Sequence, residues 1–253
     1  SFVRSLACIL ISVALIFFSS SCTKNKPPPL SQKEALSSVH WQLAAAAEID
    51  KDYEKAASHY NRLYEQHPND KKVIYGYTRN LRYVGLSNES IKILKTKIIL
   101  FPDDTNLQME LGKSQLAASL INDASDTLVG VIEKTPERWE AHSALGIIFD
   151  RAGNYENAQT AYKRALELSP NNIDVLNNLA LSLSQDGRIQ QAIEILEKII
   201  QKKSDGPQSR QNLAMLYGLI GKFEKVRTLS QMDLPKELVT RNLLIFQEMK
   251  AAP

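Results

Sequence analysis

Thiol, imidazole and carboxylate chemistry has little to build on in this chain. Its two cysteines, Cys8 and Cys22, both precede residue 23, so the remainder can hold neither a disulfide nor a thiolate metal site. His59 and His67 stand eight residues apart near the end of a helical stretch without a third ligand, and His40 and His142 fall at equivalent places 102 residues apart, where a large side chain packs between helices or at a groove edge. Gly218-Leu219-Ile220-Gly221-Lys222-Phe223 has the outline of a phosphate loop. Its glycines are too close, however, and Phe223 occupies the place of the required Ser or Thr, so the segment reads as a turn. Acidic residues are spread over helical faces, where they are solvated or pair at i,i+4, as Glu194 and Lys198 can. No catalytic or metal-binding constellation emerges, which argues against an enzyme, a cofactor or a small-molecule substrate. Among 253 residues, 31 Lys+Arg face 28 Asp+Glu, a net charge of +3 too small for the basic stripe that nucleic acid needs.

The first 21 residues read as an address. Arg4 precedes the apolar run Leu6–Phe18, and Ser19, Ser20 and Ser21 lead into Cys22. A basic start, a core too short to span a bilayer and small residues before a cleavage point make a signal peptide over residues 1–21. The Cys after the small residues resembles the bacterial lipobox, although Ser19 stands where that pattern prefers Leu. The resemblance implies a covalent lipid on Cys22, and Thr23 in place of Asp implies sorting to the outer membrane. With each buried methylene contributing about 0.8 kcal/mol, two or three acyl chains anchor a protein stably. Residues 22–30, with Pro27, Pro28 and Pro29, form an extended tether.

Elements must then be placed for the remaining residues. Pro68, Pro102, Pro136 and Pro170 recur every 34 residues. Frames starting at residues 37, 71, 105, 139, 173 and 207 put Ala44, Thr78, Gly112, Gly146, Ala180 and Ala214 at the eighth position. They put Ala56, Ser90, Ala124, Ala158, Ala192 and Val226 at the twentieth. Small residues at these two places let the two helices of a hairpin cross closely. Gly85, Gly153, Gly187 and Gly221 share one frame position, suited to a left-handed turn between helices. This period and signature, best filled over Trp139–Asn172, resemble the tetratricopeptide repeat. The resemblance implies an all-α, right-handed solenoid of about six repeats over residues 31–240, with a capping helix over 235–250. Ser31 and Glu34 form a capping box that starts the first helix and takes it to about Ile49. Pro235 opens the last helix, whose Leu238, Val239, Leu243 and Phe246 close the stack. Ser204, Ser230, Asp233 and Leu238 depart from the repeat pattern, which predicts a short second helix in the sixth unit.

The first helices of such a superhelix line a concave face. Its expected lining includes Trp41, Tyr75, Arg79, Arg82, Tyr83, Met109, Lys113, Leu116, Ile147, Arg151, Asn177, Leu181, Met215 and Leu219. Tyr75, Arg79, Arg82 and Tyr83, with Lys113 nearby, form an expected seat for an acidic or carboxylate-ended peptide. Leu181, Met215 and Leu219 form an apolar floor beside Asn177 and Asn178, which can bridge a peptide main chain. The partner is therefore a protein or peptide, with the membrane reached through the N-terminal lipid.

A narrower resemblance lies in residues 140–246. Asn177-Asn178-Leu179-Ala180, Gly187-Arg188, Arg210-Gln211-Asn212-Leu213-Ala214, Tyr217-Gly218-Leu219 and Asp233-Leu234-Pro235 carry it. These resemble the TadD lipoproteins of tight-adherence (Flp) pilus assembly. The resemblance implies a pilotin-like factor, anchored to the outer membrane with its body in the periplasm, that holds a secretin segment. A scaffold for peptidoglycan enzymes or for outer-membrane barrel assembly is the alternative.

Overall fold

The computed structural model describes residues 31–202 and 206–251, and among these all regular structure is helical. Twelve helices form six hairpins: α1 (Gln32–Ile49) with α2 (Tyr53–Gln66), α3 (Lys71–Tyr83) with α4 (Ser87–Leu100), and α5 (Thr105–Ala117) with α6 (Ile121–Lys134). Then follow α7 (Trp139–Arg151) with α8 (Tyr155–Leu168), α9 (Ile173–Gln185) with α10 (Ile189–Gln201), and α11 (Pro207–Leu219) with α12 (Phe223–Ser230). A thirteenth, α13 (Lys236–Ala251), covers the end. The segment before Ser31, with Cys22 and the tether, lies outside the described residues, as does Ser204.

The 34-residue register is met residue for residue. The first helix of repeats two to six begins at frame position one, and every second helix begins at position seventeen. The N-terminal box forms as expected, with the Glu34 amide donating to the Ser31 hydroxyl and the Ser31 amide to the Glu34 carboxylate. All six turns use a left-handed residue at position fifteen. Glycine fills it at Gly85, Gly153, Gly187 and Gly221, whereas Lys51 (φ 58°) and Ser119 (φ 60°) adopt the same conformation without being glycine. The next amide then reaches back to the carbonyl five residues earlier, as Leu86 does to Leu81 and Asn154 to Phe149, satisfying the last carbonyls of the first helix.

The small residues of positions eight and twenty are buried throughout. Gly146 lies so near Tyr162 that an added Cβ would fall 2.5 Å from the ring, and at Gly112 it would fall 2.9 Å from Leu128. The large side chain that presses on position eight is therefore residue 24 of the same repeat, one turn beyond the small residue at position twenty. Helix α12 has eight residues against thirteen or fourteen in the other second helices. It ends where Arg210 and Gln211 of α11 hold Asp233, with Arg210 donating at 2.5 and 2.8 Å. Val239 and Leu243 of α13 are buried against the last repeat, and Phe246 fills the space over Gly218.

Candidate functional site

From α3 onward, the backbone of each first helix lies close to that of the first helix of the next repeat, and α13 takes the following place, whereas the second helices stand farther apart and meet only through side chains such as Lys95 and Asp123. The first helices therefore crowd the inner side of a curved stack while the second helices splay outside. Inner-face side chains come from the turns of α1, α3, α5, α7, α9 and α11.

The structure sorts the expected lining into three groups. Tyr75, Tyr83, Lys113, Ile147, Arg151, Asn178, Leu181, Met215 and Leu219 retain half-buried or exposed surface. Tyr83 is 48% exposed and stacks on Tyr53 with centroids 4.5 Å apart. Trp41 is half-buried, edge-on to Tyr60 at 5.7 Å. Met109, Leu116 and Asn177 are instead buried in the stack. Asn177 donates to the Ile173 carbonyl and the Ser209 hydroxyl and accepts from Asn212, so it ties α9 to α11 and has no main-chain bridge to offer. Side chains at one frame position do not share one fate, since Tyr75 and Asn177 both stand at position five and the first is half-buried while the second is buried.

The arginines form the second correction. Arg79 donates to Glu48 at 2.5 Å, and Glu48 also accepts from Asn80 and, at 3.5 Å, from Tyr60. Arg82 donates from Nε (2.7 Å) and Nη2 (3.3 Å) to both oxygens of Glu110, a carboxylate with no exposure at all. Burial alone would lower both guanidinium pKa values, but the facing carboxylates outweigh it and hold them above the ordinary value. The expected cationic seat on α3 is therefore largely neutralised within the chain. Its rings remain, with the Arg79 guanidinium 5.1 Å from Tyr75 and that of Arg82 4.5 Å from Tyr83.

A comparable carboxylate sits in repeat four. Asp150 accepts from the Tyr162 hydroxyl (2.8 Å) and from Ser182 of the next repeat (2.6 Å). Burial raises the Asp150 carboxyl despite those bonds, and burial with the Asp150 charge pushes the Tyr162 phenol far up. Glu48 and Asp150 share frame position twelve, their tyrosine partners share position twenty-four and Asn80 and Ser182 share position ten. Sequence reading missed this recurrence, although an acid at twelve with a tyrosine twelve residues later was visible. It also overrated local pairs. Glu194 and Lys198 make no ion pair within 4 Å, while the Arg79–Glu48 and Arg82–Glu110 bridges join residues 31 and 28 apart.

Three of the four histidines belong to the first repeat, in two separate contacts. His40 and His59 meet Nδ1 to Nδ1 at 3.1 Å between α1 and α2, and His67 bonds Ser37. His142 contacts the Pro136 carbonyl. Among the described residues no group of three or more His, Cys, Asp or Glu is placed to hold a metal ion. No described helix is long and apolar enough to cross a membrane.

Models of the tetratricopeptide repeat match residues 39–70, 109–173 and 151–220, together more than half of the chain. The TPR repeat-containing protein YpiA of Bacillus subtilis is 24% identical over 189 residues, 75% of this chain and 44% of that protein. The uncharacterised protein y4yS of Sinorhizobium fredii is 31% identical over 113 residues, 45% of this chain and 62% of that one. The chain thus spans less than two thirds of either relative. Among solved structures, a tetratricopeptide repeat protein of Parabacteroides merdae superposes with a TM-score of 0.69 at 12% identity, over 83% of this chain and 84% of the other. A thermophilic repeat protein of Thermus thermophilus does so at 0.66 and 19%, over 71% of this chain and 98% of that one.

Proposed function

The chain belongs to the tetratricopeptide-repeat family, and from that premise we propose that it is a lipid-anchored scaffold whose concave face holds a segment of a protein partner. One observation carries this reading. Tyr83, Met215 and Leu219 are between 37 and 48% exposed on the inner face, although Asn80 and Leu216 on the same helices are fully buried. Aromatic and thioether groups left open on a concave surface are what a bound segment covers. Nothing in such a face makes or breaks bonds, and the repeats supply rigidity instead.

The finer reading is a pilotin-like role. Residues 140–246 carry the likeness to lipoproteins of tight-adherence pilus assembly, and a lipid on Cys22, once the signal peptide before it is removed, would supply an anchor to the outer membrane. The lipid would fix the scaffold to that membrane while the groove holds a secretin segment, raising the local concentration of cargo where it must insert. Capture from the native membranes of the full chain tests both parts. Met215→Asp with Leu219→Asp should abolish recovery of the secretin while leaving the helical circular-dichroism signal intact. Cys22→Ser should release a folded protein from the membrane and end palmitate labelling. Undiminished secretin capture by the double variant would sink the groove, and undiminished labelling would sink the anchor.

A general envelope scaffold is the second reading, favoured by Ile99 and Leu100 on the outer face, which are 79 and 54% exposed.

A further inference from the structure

The first repeat has nothing stacked in front of it, and its leading face is bare. At frame positions three and ten every later repeat is buried, from Val73 and Asn80 in the second to Ser209 and Leu216 in the sixth. These positions face the repeat before. Val73 packs with Ala44 and Leu63, Asn80 donates to Glu48, and Ser209 accepts from Asn177. Their counterparts in the first repeat are Val39, 47% exposed, and Ala46, also exposed. At position seven, Leu43 is 39% exposed where Leu111, Leu179 and Leu213 are buried. Leu36, just ahead of the frame, is 49% exposed. Spacings of three and four put Leu36, Val39, Leu43 and Ala46 on one stripe of α1, opposite the buried Ser37, Ala44 and Ala47.

The stripe is not only apolar but free of charge around it. No Asp, Glu, Lys or Arg occurs between Glu34 and Glu48. A solenoid that ends in water needs a polar outer face on its terminal unit. At the opposite end, α13 interleaves Glu237, Arg241, Glu248 and Lys250 with its exposed Leu244 and Ile245. The first helix has no such admixture.

The place of α1 in the chain points to what covers it. Ser31, its cap, follows Cys22 by nine residues. At about 3.3–3.6 Å per residue, α1 starts within about 30 Å of a lipid on that cysteine. Lys24 and Lys26 lie between, suited to anionic headgroups. The stripe covers three turns of one helix, roughly 16 Å by 10 Å. A stable protein interface buries about 800 Å² on each partner, far more than this strip offers. A bilayer needs no such area, because the lipid already holds the face at high effective concentration.

We infer that the Leu36, Val39, Leu43 and Ala46 stripe of α1 lies on the bilayer surface, with the first repeat as the foot of the solenoid. This rests on the lipid anchor proposed above and adds the face by which the folded body meets the membrane. The aliphatic side chains sink to the boundary of headgroups and acyl chains. The later repeats and their concave face then project into water.

A photoreactive p-benzoyl-phenylalanine at Val39 in the full chain, in cells grown with radiolabelled phosphate, reports what touches the stripe. Illumination should transfer phospholipid label to the protein from position 39, and from Ala46 when the probe is moved there. The exposed Lys163 of α8, carrying the same probe, should give none. Leu36→Glu with Leu43→Glu should abolish transfer from position 39 while leaving the helical circular-dichroism signal and palmitate labelling unchanged. A cross-linked dimer instead of lipid would give the stripe to a second copy, and an adduct with another protein would give it to that partner. Either result overturns the bilayer seat, as does equal labelling from positions 39 and 163. Palmitate incorporation in the same protein keeps the two readings apart. Palmitate without a phospholipid adduct sinks the seat and spares the anchor, whereas absence of palmitate sinks the anchor and the seat with it.

Discussion

The two ends of this solenoid are assembled from one repeat and held by different forces. From α8 to α13 a single apolar cluster runs unbroken, from Ala158 through Tyr162, Val175, Leu196 and Leu216 to Leu243. From α1 to α7 there are smaller separate clusters instead, one around Leu63 and Val73, one around Ile74, Leu94 and Leu107, and one from Met109 to Ile148. Between them lie charged and polar contacts. Both charged residues that are buried, Lys97 and Glu110, belong to this half, as do the unsatisfied amide oxygens of Asn80 and Gln115. A buried ion pair is a weak source of net stability and a strong source of register, because its two partners tolerate little misplacement. One half thus gains its cohesion from apolar area and the other gains its alignment from charge.

The sharpest way to break this contrast is to remove one partner of the deepest pair. Glu110→Ala strands Arg82 and should cost about 3–5 kcal/mol in urea unfolding. Arg82→Met with Glu110→Leu should restore most of it. A double variant as unstable as the single one would mean that the charges supply cohesion after all. At the edge of the apolar half, where α7 meets Tyr162, Gly146→Leu should cost about 1–3 kcal/mol through overpacking, since Tyr162 is fixed by its bond to Asp150 and cannot yield. Wild-type melting of that variant would contradict the close approach.

Acid should separate the halves next. Burial first, then the charges of His40 and Lys55, holds the His59 imidazole below its ordinary value of 6.5. The unfolded chain therefore binds a proton that the folded one refuses, and stability present above that value is lost as pH falls below it. Amides of α1 and α2 should lose exchange protection between pH 7.5 and 5.5 while those of α9 to α11 do not. Parallel loss in both would reject the histidine pair as the cause. The smallest effect belongs to Gly130, mid-helix in α6 with open space where a Cβ would go. Gly130→Ala should add about 0.5–1 kcal/mol by helix propensity alone, read as a small rise in the denaturation midpoint.

Much of the architecture could be read from spacing. Prolines every 34 residues, small residues at positions eight and twenty and turn glycines at fifteen are local requirements of a helical hairpin, and each constrains a few neighbouring residues. The capping box at Ser31 and the short α12 followed from residues within one turn. Lys51 and Ser119 were not legible as turn residues, because the hairpin geometry imposes a left-handed conformation their own preferences oppose. The groove was legible only as a set of positions. Tyr83, Met215 and Leu219 stayed open, whereas Met109, Leu116 and Asn177 went into the stack.

By itself, then, the chain's order of residues determined the hairpins, their register and where they stop, because these depend on hydrogen bonds and contacts closed within a repeat. Which charges remain available to a ligand was decided only in three dimensions. Arg79 and Arg82 meet Glu48 and Glu110 across about thirty residues, while Lys113, with Glu110 and Glu140 nearby, makes no ion pair within 4 Å. Such matches depend on the angle at which one repeat packs on the next. That angle is set by the shapes of all the side chains between them, which no spacing along the chain encodes.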